Sequence, residues 1–316
     1  MKYMFLVITS NKTEKTSTWA EREKYVHDFY FGLEERVENI KVVYTTYDDI
    51  ETTVLNNKVT MRDTRHDVDL ADVNLVHFKN WMFDNEHAAM IAFYLNKNGV
   101  NFFNSEVDAG LAWGKISQMC RLAYGGVPVP DTFFAKKPRL LSIFENNGLP
   151  KGFDFPLIMK ADDGAKGNDN HLVKTLPEAI EILKNAGTEK EFVLQNFLPN
   201  DGDYRLLFIG LDEPPLVFLR KAVEGSHLNN TSKGGSGSFI NPRDVSNEFV
   251  RIARQAAEIL KREISGVDIL VDKTTDKPYV LEVNSTPALA TGYGVEEKQA
   301  KFADFLQRSI DMQEDE

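Results

Sequence analysis

The sequence predicts a mixed α/β chain: a parallel α/β unit over residues 1–104, followed by two α+β units over residues 105–190 and 191–316. Three observations predict it. Strand-like and helical runs alternate through the first hundred residues, the pattern of a parallel sheet with right-handed crossovers. Strands joined by short polar turns dominate the remainder, the pattern of antiparallel pairing. Finally, a hairpin at Gly266–Asn284 carries acidic groups inside its strands rather than at their ends.

In the first unit, Tyr3–Ile8, Lys41–Tyr44 and Val73–Phe78 read as buried strands. Helical spacing covers Trp19–Val37 and Asn85–Asn96, where Ala88, Ile91, Ala92 and Leu95 share a face. Gly99–Asn104 is a short apolar strand, and the polar stretch Asp48–Asp69 is an excursion or small hairpin. The opening apolar run stops at Thr9-Ser-Asn-Lys and reads as a strand, not a signal peptide.

Ser105-x-x-Asp108 has the form of a capping box and predicts a helix from Ser105 to about Ala123, with Lys115 on it. Gly125-Gly126 ends that helix, and Val127-Pro-Val-Pro-Asp connects to a strand at Thr132–Ala135. Phe155–Lys160 is an apolar strand ending in lysine. The glycine-containing turn 161–170 and a second strand from His171 complete a hairpin able to fold backbone N–H groups over phosphates. A helix at Pro177–Asn185 leads to the strand Phe192–Pro199, whose backbone can meet a planar base. Asp203–Gly210 and Leu216–Ala222 form an antiparallel pair carrying Asp203, Arg205, Arg220 and Lys221. Residues 224–239 have the composition of a mobile loop, and helices follow at Val245–Glu263 and Glu296–Ile310, with a frayed Gln-Glu-Asp-Glu end.

In the hairpin, a turn at Thr274–Asp276 pairs Lys273 with Lys277, Leu270 with Val280 and Asp268 with Glu282. Val280, Glu282 and Asn284 then share one face. Opposed carboxylates repel. Two carboxylates and an amide oxygen are hard ligands that suit Mg²⁺ shared with substrate phosphates. Asp272, nearer the turn, is expected to be solvated.

Composition narrows the function. A net charge of −11 argues against a nucleic-acid backbone as main partner. No apolar run approaches the roughly 20 residues that span a bilayer. The single cysteine, Cys120, excludes an internal disulfide and a cysteine-based zinc site, and a reducing cytoplasm is the natural compartment. The six histidines have no paired ligand spacing. Gly114-Lys115 is not a P-loop, and neither a nucleophile elbow nor Gly-x-Gly-x-x-Gly occurs.

Taken in order, several stretches resemble the ATP-grasp superfamily, most closely its RimK-like (ribosomal-protein glutamate ligase-like) branch. They are Asn104-Ser…Trp-Gly-Lys115, Gly126–Ala135, Phe155–Lys160, Phe192–Leu198, Gly202-Asp-Tyr-Arg205, Leu219–Gly225, Asn230–Gly235, Gly266-Val-Asp268 and Leu281-Glu-Val-Asn-Ser-Thr-Pro287. The resemblance implies an ATP-grasp fold with two subdomains clasping ATP, and a role for each matching residue. Lys115 and Lys160 match the lysines on the nucleotide phosphates, and Asp163 to Asn168, with Gly164 and Gly167, match the loop closing over them. Gln195, Asn196, Phe197 and Leu198 match the adenine segment, with Asp203 at the ribose and Arg205 beside it. Arg220 matches the arginine on the transferring phosphoryl group; Lys160 and Asn230 join it as catalytic residues. Asp268, Glu282 and Asn284 match the ligands of Mg²⁺, with two ions expected and Mn²⁺ an acceptable substitute.

Three departures from the resemblance follow, the first implying backbone contacts to the base and the other two, in the loop that faces the acid substrate in relatives, bearing on substrate. Asn196 stands where an acid is common, Leu228 replaces a basic residue and Lys233 replaces an arginine. The implied activity is an ATP-dependent carboxylate–amine ligase working through an acyl phosphate, which adds an amino acid to, or cross-links, a peptide or protein. A homo-oligomer is compatible with it; a nucleic-acid or membrane partner is not. The alternatives are a small-molecule kinase on the same fold and a non-catalytic nucleotide-binding module.

Overall fold

The computed structural model describes residues 3–11, 19–110, 114–162, 169–223, 229, 236–241 and 244–315. Strand β1 (Tyr3–Thr9) pairs in parallel with β2 (Ile40–Thr46) and with β6 (Leu75–Lys79), which pairs with β7 (Asn101–Phe103). Burial on both faces explains why β1 is an unbroken apolar run. Phe5 and Val7 pack with Phe29 and Tyr30 of helix α1 (Trp19–Tyr30) and with Phe302 and Leu306 of the last helix, α7 (Val295–Asp315). Leu6 and Ile8 pack against Ala88, Ile91, Ala92 and Leu95 of α2 (Asn85–Lys97). The polar stretch 48–69 is an antiparallel sheet of β3 (Ile50–Leu55), β4 (Lys58–Asp63) and β5 (Val68–Asp69). Its first turn places Asn56 and Asn57 at φ 50° and 60°, the left-handed pair a tight hairpin needs.

The expected helix from Ser105 is corrected. Only a single 3₁₀ turn forms at Ser105–Val107, and helix α3 spans Lys115–Tyr124. The Ser105 N–H and hydroxyl both donate to Glu263, 158 residues away, so this serine is not engaged as a helix cap. A distant partner took the role that local spacing had assigned to Asp108.

The next sheet has the order β10–β9–β11–β8, from β8 (Thr132–Phe134), β9 (Leu157–Ala161), β10 (Asn170–Val173) and β11 (Phe192–Asn196), all antiparallel. Leu140 and Phe144 of α4 (Lys137–Asn147) and Ala179 and Leu183 of α5 (Leu176–Asn185) cover it. Helix α4 is not anticipated above, although Pro138 at its start and Leu140, Leu141 and Phe144 at helical spacing mark it.

The last sheet is antiparallel, ordered β14–β13–β12–β15–β16. Its strands are β12 (Asp203–Ile209), β13 (Leu216–Lys221), β14 (Ser236–Ile240), β15 (Ile264–Asp272) and β16 (Lys277–Asn284). β14 corrects the reading of 224–239 as loop throughout, since its end pairs with β13. One face of the sheet is apolar: Leu206, Val217, Val267, Ile269, Val280 and Val283 pack on Ile252, Ala253, Ala256 and Leu260 of α6 (Asn247–Leu260). The opposite face carries the charges.

The hairpin register is half corrected. Asp272 pairs with Lys277, Leu270 with Tyr279 and Ile269 with Val280; a bulge between Asp268 and Ile269 then restores Asp268 to Glu282 and Gly266 to Asn284. Leu281 is the extra residue, so Val280 moves to the α6 face and away from Glu282 and Asn284. Asp272 is buried rather than solvated. Its side chain accepts from Thr274 N (3.0 Å) and the Thr275 hydroxyl (2.7 Å), which holds its carboxyl below the ordinary range. The frayed end is corrected as well, because α7 continues through 313, whose Nε2 donates to Asn74 O at 3.1 Å.

Candidate functional site

Strand register assembles the site. Cross-strand partners in a sheet share a face. One row across the five-stranded sheet therefore runs Phe239, Phe218, Arg205, Asp268, Glu282, and the next runs Gly237, Arg220, Asp203, Leu270, Tyr279. Gly266 and Asn284 close the row on the other side. Four charged residues from β12, β13 and β15 thus meet on a few square strand spacings, joined at the edge by Glu282.

Arg205 grips Asp268 with two parallel bonds, Nε to Oδ1 and Nη2 to Oδ2, each 2.7 Å. Arg220 donates from Nε to Asp203 Oδ1 at 2.6 Å. Its Nη2 stands 2.9 Å from Asp268 Oδ2 but off the hydrogen-bond direction, leaving that nitrogen without an acceptor. Burial alone would raise the Asp268 carboxyl; Arg205 and Arg220 overcome it and hold the group down at about 2. For Asp203, burial wins over Arg220, Asp268 adds repulsion, and the carboxyl is pushed up to about 6. Burial also works against the Arg220 charge, but Asp268 and Asp203 outweigh it and raise its pKa. Two carboxylates sharing one arginine split in this way.

Two further cations come from β9 and the start of α3. Lys160 sits on β9, and burial holds its ammonium below the ordinary lysine range against the pull of Glu282, Asp268 and Asp203. Lys115 opens α3 and its ammonium donates to Asp162 O at 3.3 Å. Asp162 itself accepts from Ile116 N at 2.9 Å, tying the β9 end to the helix start. A Cβ at Gly114 would meet the Asp162 carboxylate at 2.4 Å, so glycine lets that carboxylate sit against the helix start. Sequence reading missed Asp162, whose only signal is its place just after the strand lysine.

The expected base-binding segment lies at the end of β11. Gln195 is buried and donates to Thr132 Oγ1 at 3.0 Å, so its side chain serves the sheet. Asn196 donates to Gly152 O at 3.2 Å, while its Oδ1 is buried without a partner. Phe197 N donates to Pro156 O at 3.3 Å, and Leu198 O accepts from Asn200 at 2.9 Å. Asn200 also accepts from Gly202 N and from Asn229, which in turn accepts from Ala222 N at 3.0 Å. Gly202, at φ +135°, has no room for a Cβ beside Arg220 O. Asp163, Gly164, Gly167, Asn168, Leu228, Asn230 and Lys233 lie outside the described residues.

The donor set Asp268, Glu282 and Asn284 suits a hard divalent cation. Asn284 donates to Glu282 Oε1 at 3.0 Å, so amide and carboxylate already converge, and rotating the amide would present its oxygen instead. Asp268 keeps lone pairs beyond those its arginines use. Among the described residues no group of three or more His, Cys, Asp and Glu side chains is placed to hold a metal. Nor is any described helix long and apolar enough to cross a membrane.

The sequence model of the RimK-like ATP-grasp domain matches residues 112–301. "Probable alpha-L-glutamate ligase 2" of Hahella chejuensis is 33% identical over 197 residues, 61% of this chain and 61% of that protein. "Probable alpha-L-glutamate ligase" of Stutzerimonas stutzeri is 30% identical over 208 residues, 64% of each. The match thus spans less than two thirds of these relatives' length. In fold, the ATP-grasp ligase PsnB complexed with a minimal precursor superposes with a TM-score of 0.66 at 16% identity, covering 98% of this chain and 100% of that one. D-alanine–D-alanine ligase from Bacillus anthracis complexed with ATP gives 0.64 at 14% identity, covering 99% of both.

Proposed function

Because the chain belongs to the RimK-like ATP-grasp family, we propose that it is an ATP-dependent carboxylate–amine ligase acting on a peptide or protein, to which it adds an amino acid or which it cross-links. One observation carries this reading: on one face of the last sheet Arg205 grips Asp268, Arg220 grips Asp203 and stands 2.9 Å from Asp268, and Glu282 pairs with Asp268. Phosphoryl transfer needs positioning and charge neutralisation more than covalent help, and this face is built for both.

Lys115 and Lys160 hold the phosphates of ATP, the strand end at Gln195–Leu198 takes the base, and Asp203 with Arg205 lies toward the ribose side. Asp203 also aims Arg220, whose guanidinium neutralises the transferring phosphoryl group. Asp268, Glu282 and Asn284 would hold Mg²⁺, which when bound offsets the charge of the phosphates. A substrate carboxylate oxygen attacks the γ-phosphorus and ADP leaves; an amine then attacks the acyl carbon and phosphate leaves. We read residues 1–104, 105–190 and 191–316 as the three units of the enzyme, working in the cytoplasm without nucleic acid and open to self-association. The exposed Cys120 thiol suits a reducing compartment.

The test is acyl-phosphate trapping. Protein, ATP, Mg²⁺ and hydroxylamine, with a pool of amino acids and short peptides, are expected to yield a hydroxamate and free phosphate. ADP accompanied by a phosphorylated product and no free phosphate identifies a kinase and ends the ligase reading.

A further inference from the structure

Helix α2 is buried on one side, where Ala88, Ile91, Ala92 and Leu95 share a core with Leu6 and Ile8 of β1. Its other side turns away from the parallel sheet and carries Met90 and Phe93, 39% and 59% exposed. Phe83, 48% exposed in the 3₁₀ turn Trp81–Asp84 just before the helix, extends the stripe at one end. Glu86 and Lys97, both exposed, complete it. Positions 83, 86, 90, 93 and 97 alternate in steps of three and four, the spacing of a seam that meets a second helix. Single exposed apolar side chains are ordinary on any surface, whereas three in one row mark a contact face.

The charges on the stripe decide which helix fits it. Beside an identical helix running parallel, Glu86 would meet glutamate and Lys97 would meet lysine, and both pairs repel. Beside one running antiparallel, a two-fold axis midway between residues 91 and 92 brings Met90 onto the partner's Phe93. The same register brings Glu86 opposite the partner's Lys97, so one arrangement serves the apolar and the charged pairs together. Lys97 Nζ already lies 5.4 Å from the centre of its own Phe93 ring, along the seam. The opposite side of β1 is occupied within the chain: Phe5 and Val7 share a core with α1, α7 and Leu207 and Ile209 of the last sheet. A helix docked on α2 therefore leaves the charged face of that sheet open.

We propose that the chain forms an antiparallel two-fold dimer through the Phe83–Glu86–Met90–Phe93–Lys97 stripe of α2. The occupant of this face is a second copy of the chain, because the stripe is complementary to itself in apolar contacts and in charge. A two-fold contact of this kind closes on itself and stops at two copies. A single-helix seam is small beside the roughly 800 Å² per partner of a standard interface, so the dimer should be weak, half-formed at about 50 µM.

Sedimentation velocity of the full chain from about 1 to 500 µM tests this. Phe93→Glu should raise the dissociation constant by about 30-fold or more, since a central aromatic is lost from both copies. Glu86→Lys and Lys97→Glu should each weaken the dimer by about 10-fold or more, by setting like charges opposite each other twice. Mixed in equal amounts, these two variants should dimerise again, because every charge pair across the seam is then opposite in sign. All three positions are exposed, so the far-UV circular dichroism and Tm of the variants should match the parent. A parent that stays monomeric throughout, a dimer indifferent to Phe93→Glu, or two charge variants that do not recombine on mixing overturns the proposal. The measurement uses no turnover, so its failure leaves the ligase reading where it stands.

Discussion

Among the described residues two arginine–carboxylate clusters are largely buried, and they differ in what they leave over. Arg262 and Glu106 are 2% and 1% exposed at the side chain, joined at 2.6 Å from Nε to Oε2. Trp81 Nε1 donates to the other Glu106 oxygen at 3.3 Å, and Arg262 also donates to Val283 O. Beside them Asn104 bonds Ile264 O, Ser285 O and Ile264 N, so the parallel sheet's last strand is stitched to β15 and β16. Neither Arg262 nor Glu106 has a buried atom without a partner. In the Arg205–Asp268–Arg220–Asp203 cluster, by contrast, Arg220 Nη2 lacks an acceptor and Arg205 is a quarter exposed. Burial and ion pairing are common to both; unspent hydrogen-bonding capacity marks the one that has a ligand to meet.

The comparison breaks first on stability. Arg262→Met strands Glu106 as an unpaired buried carboxylate, so it should cost about 3–5 kcal/mol of unfolding free energy in urea. Its folded fraction should turn over at the parental rate. A loss below about 1 kcal/mol would mean that this cluster is not the lock described here. The opposite signature is expected at the other cluster. Glu282→Gln should lower turnover about 100-fold or more, roughly 3 kcal/mol of transition-state stabilisation. Melting should barely move, because the side-chain oxygen facing Asn284 is kept. Parental turnover in that variant removes the metal assignment.

Which parts were legible follows from the range of each interaction. Asp268 opposite Glu282 is readable because strand alternation is local and the acids break an apolar run. The register nearer the turn is not, because the bulge at Leu281 is fixed by packing Val280 and Val283 together against α6. Ser105 carried a local capping signal that Glu263, far along the chain, overrode. Arg205 could be placed beside the nucleotide by resemblance, but its grip on Asp268 depends on β12 lying next to β15, which spacing alone does not give.

The finest separation is in pH dependence. The Asp203 carboxyl is raised to about 6 from an ordinary 3.8, so folding favours its protonated form. Its contribution to stability is whole below 3.8 and is lost as pH rises through about 6. Asp268 has the reverse sign: held at about 2, it contributes above 3.8 and loses that only as pH falls toward 2. Between these limits the decline belongs to Asp203. Asp203→Asn should therefore gain about 1–2 kcal/mol on the parent as pH rises through this window, measured by urea unfolding at each pH. Glu106, also raised by burial, gives Glu106→Gln a shift of the same direction, so slope alone does not tell the clusters apart. Mg²⁺ and ATP do. They are expected to change the difference between the parent and Asp203→Asn, because their charges fall on Arg220 and its partner, and to leave the Glu106→Gln difference where it was. If both differences move together, or neither moves, the spare capacity at Arg220 has no nucleotide to answer to.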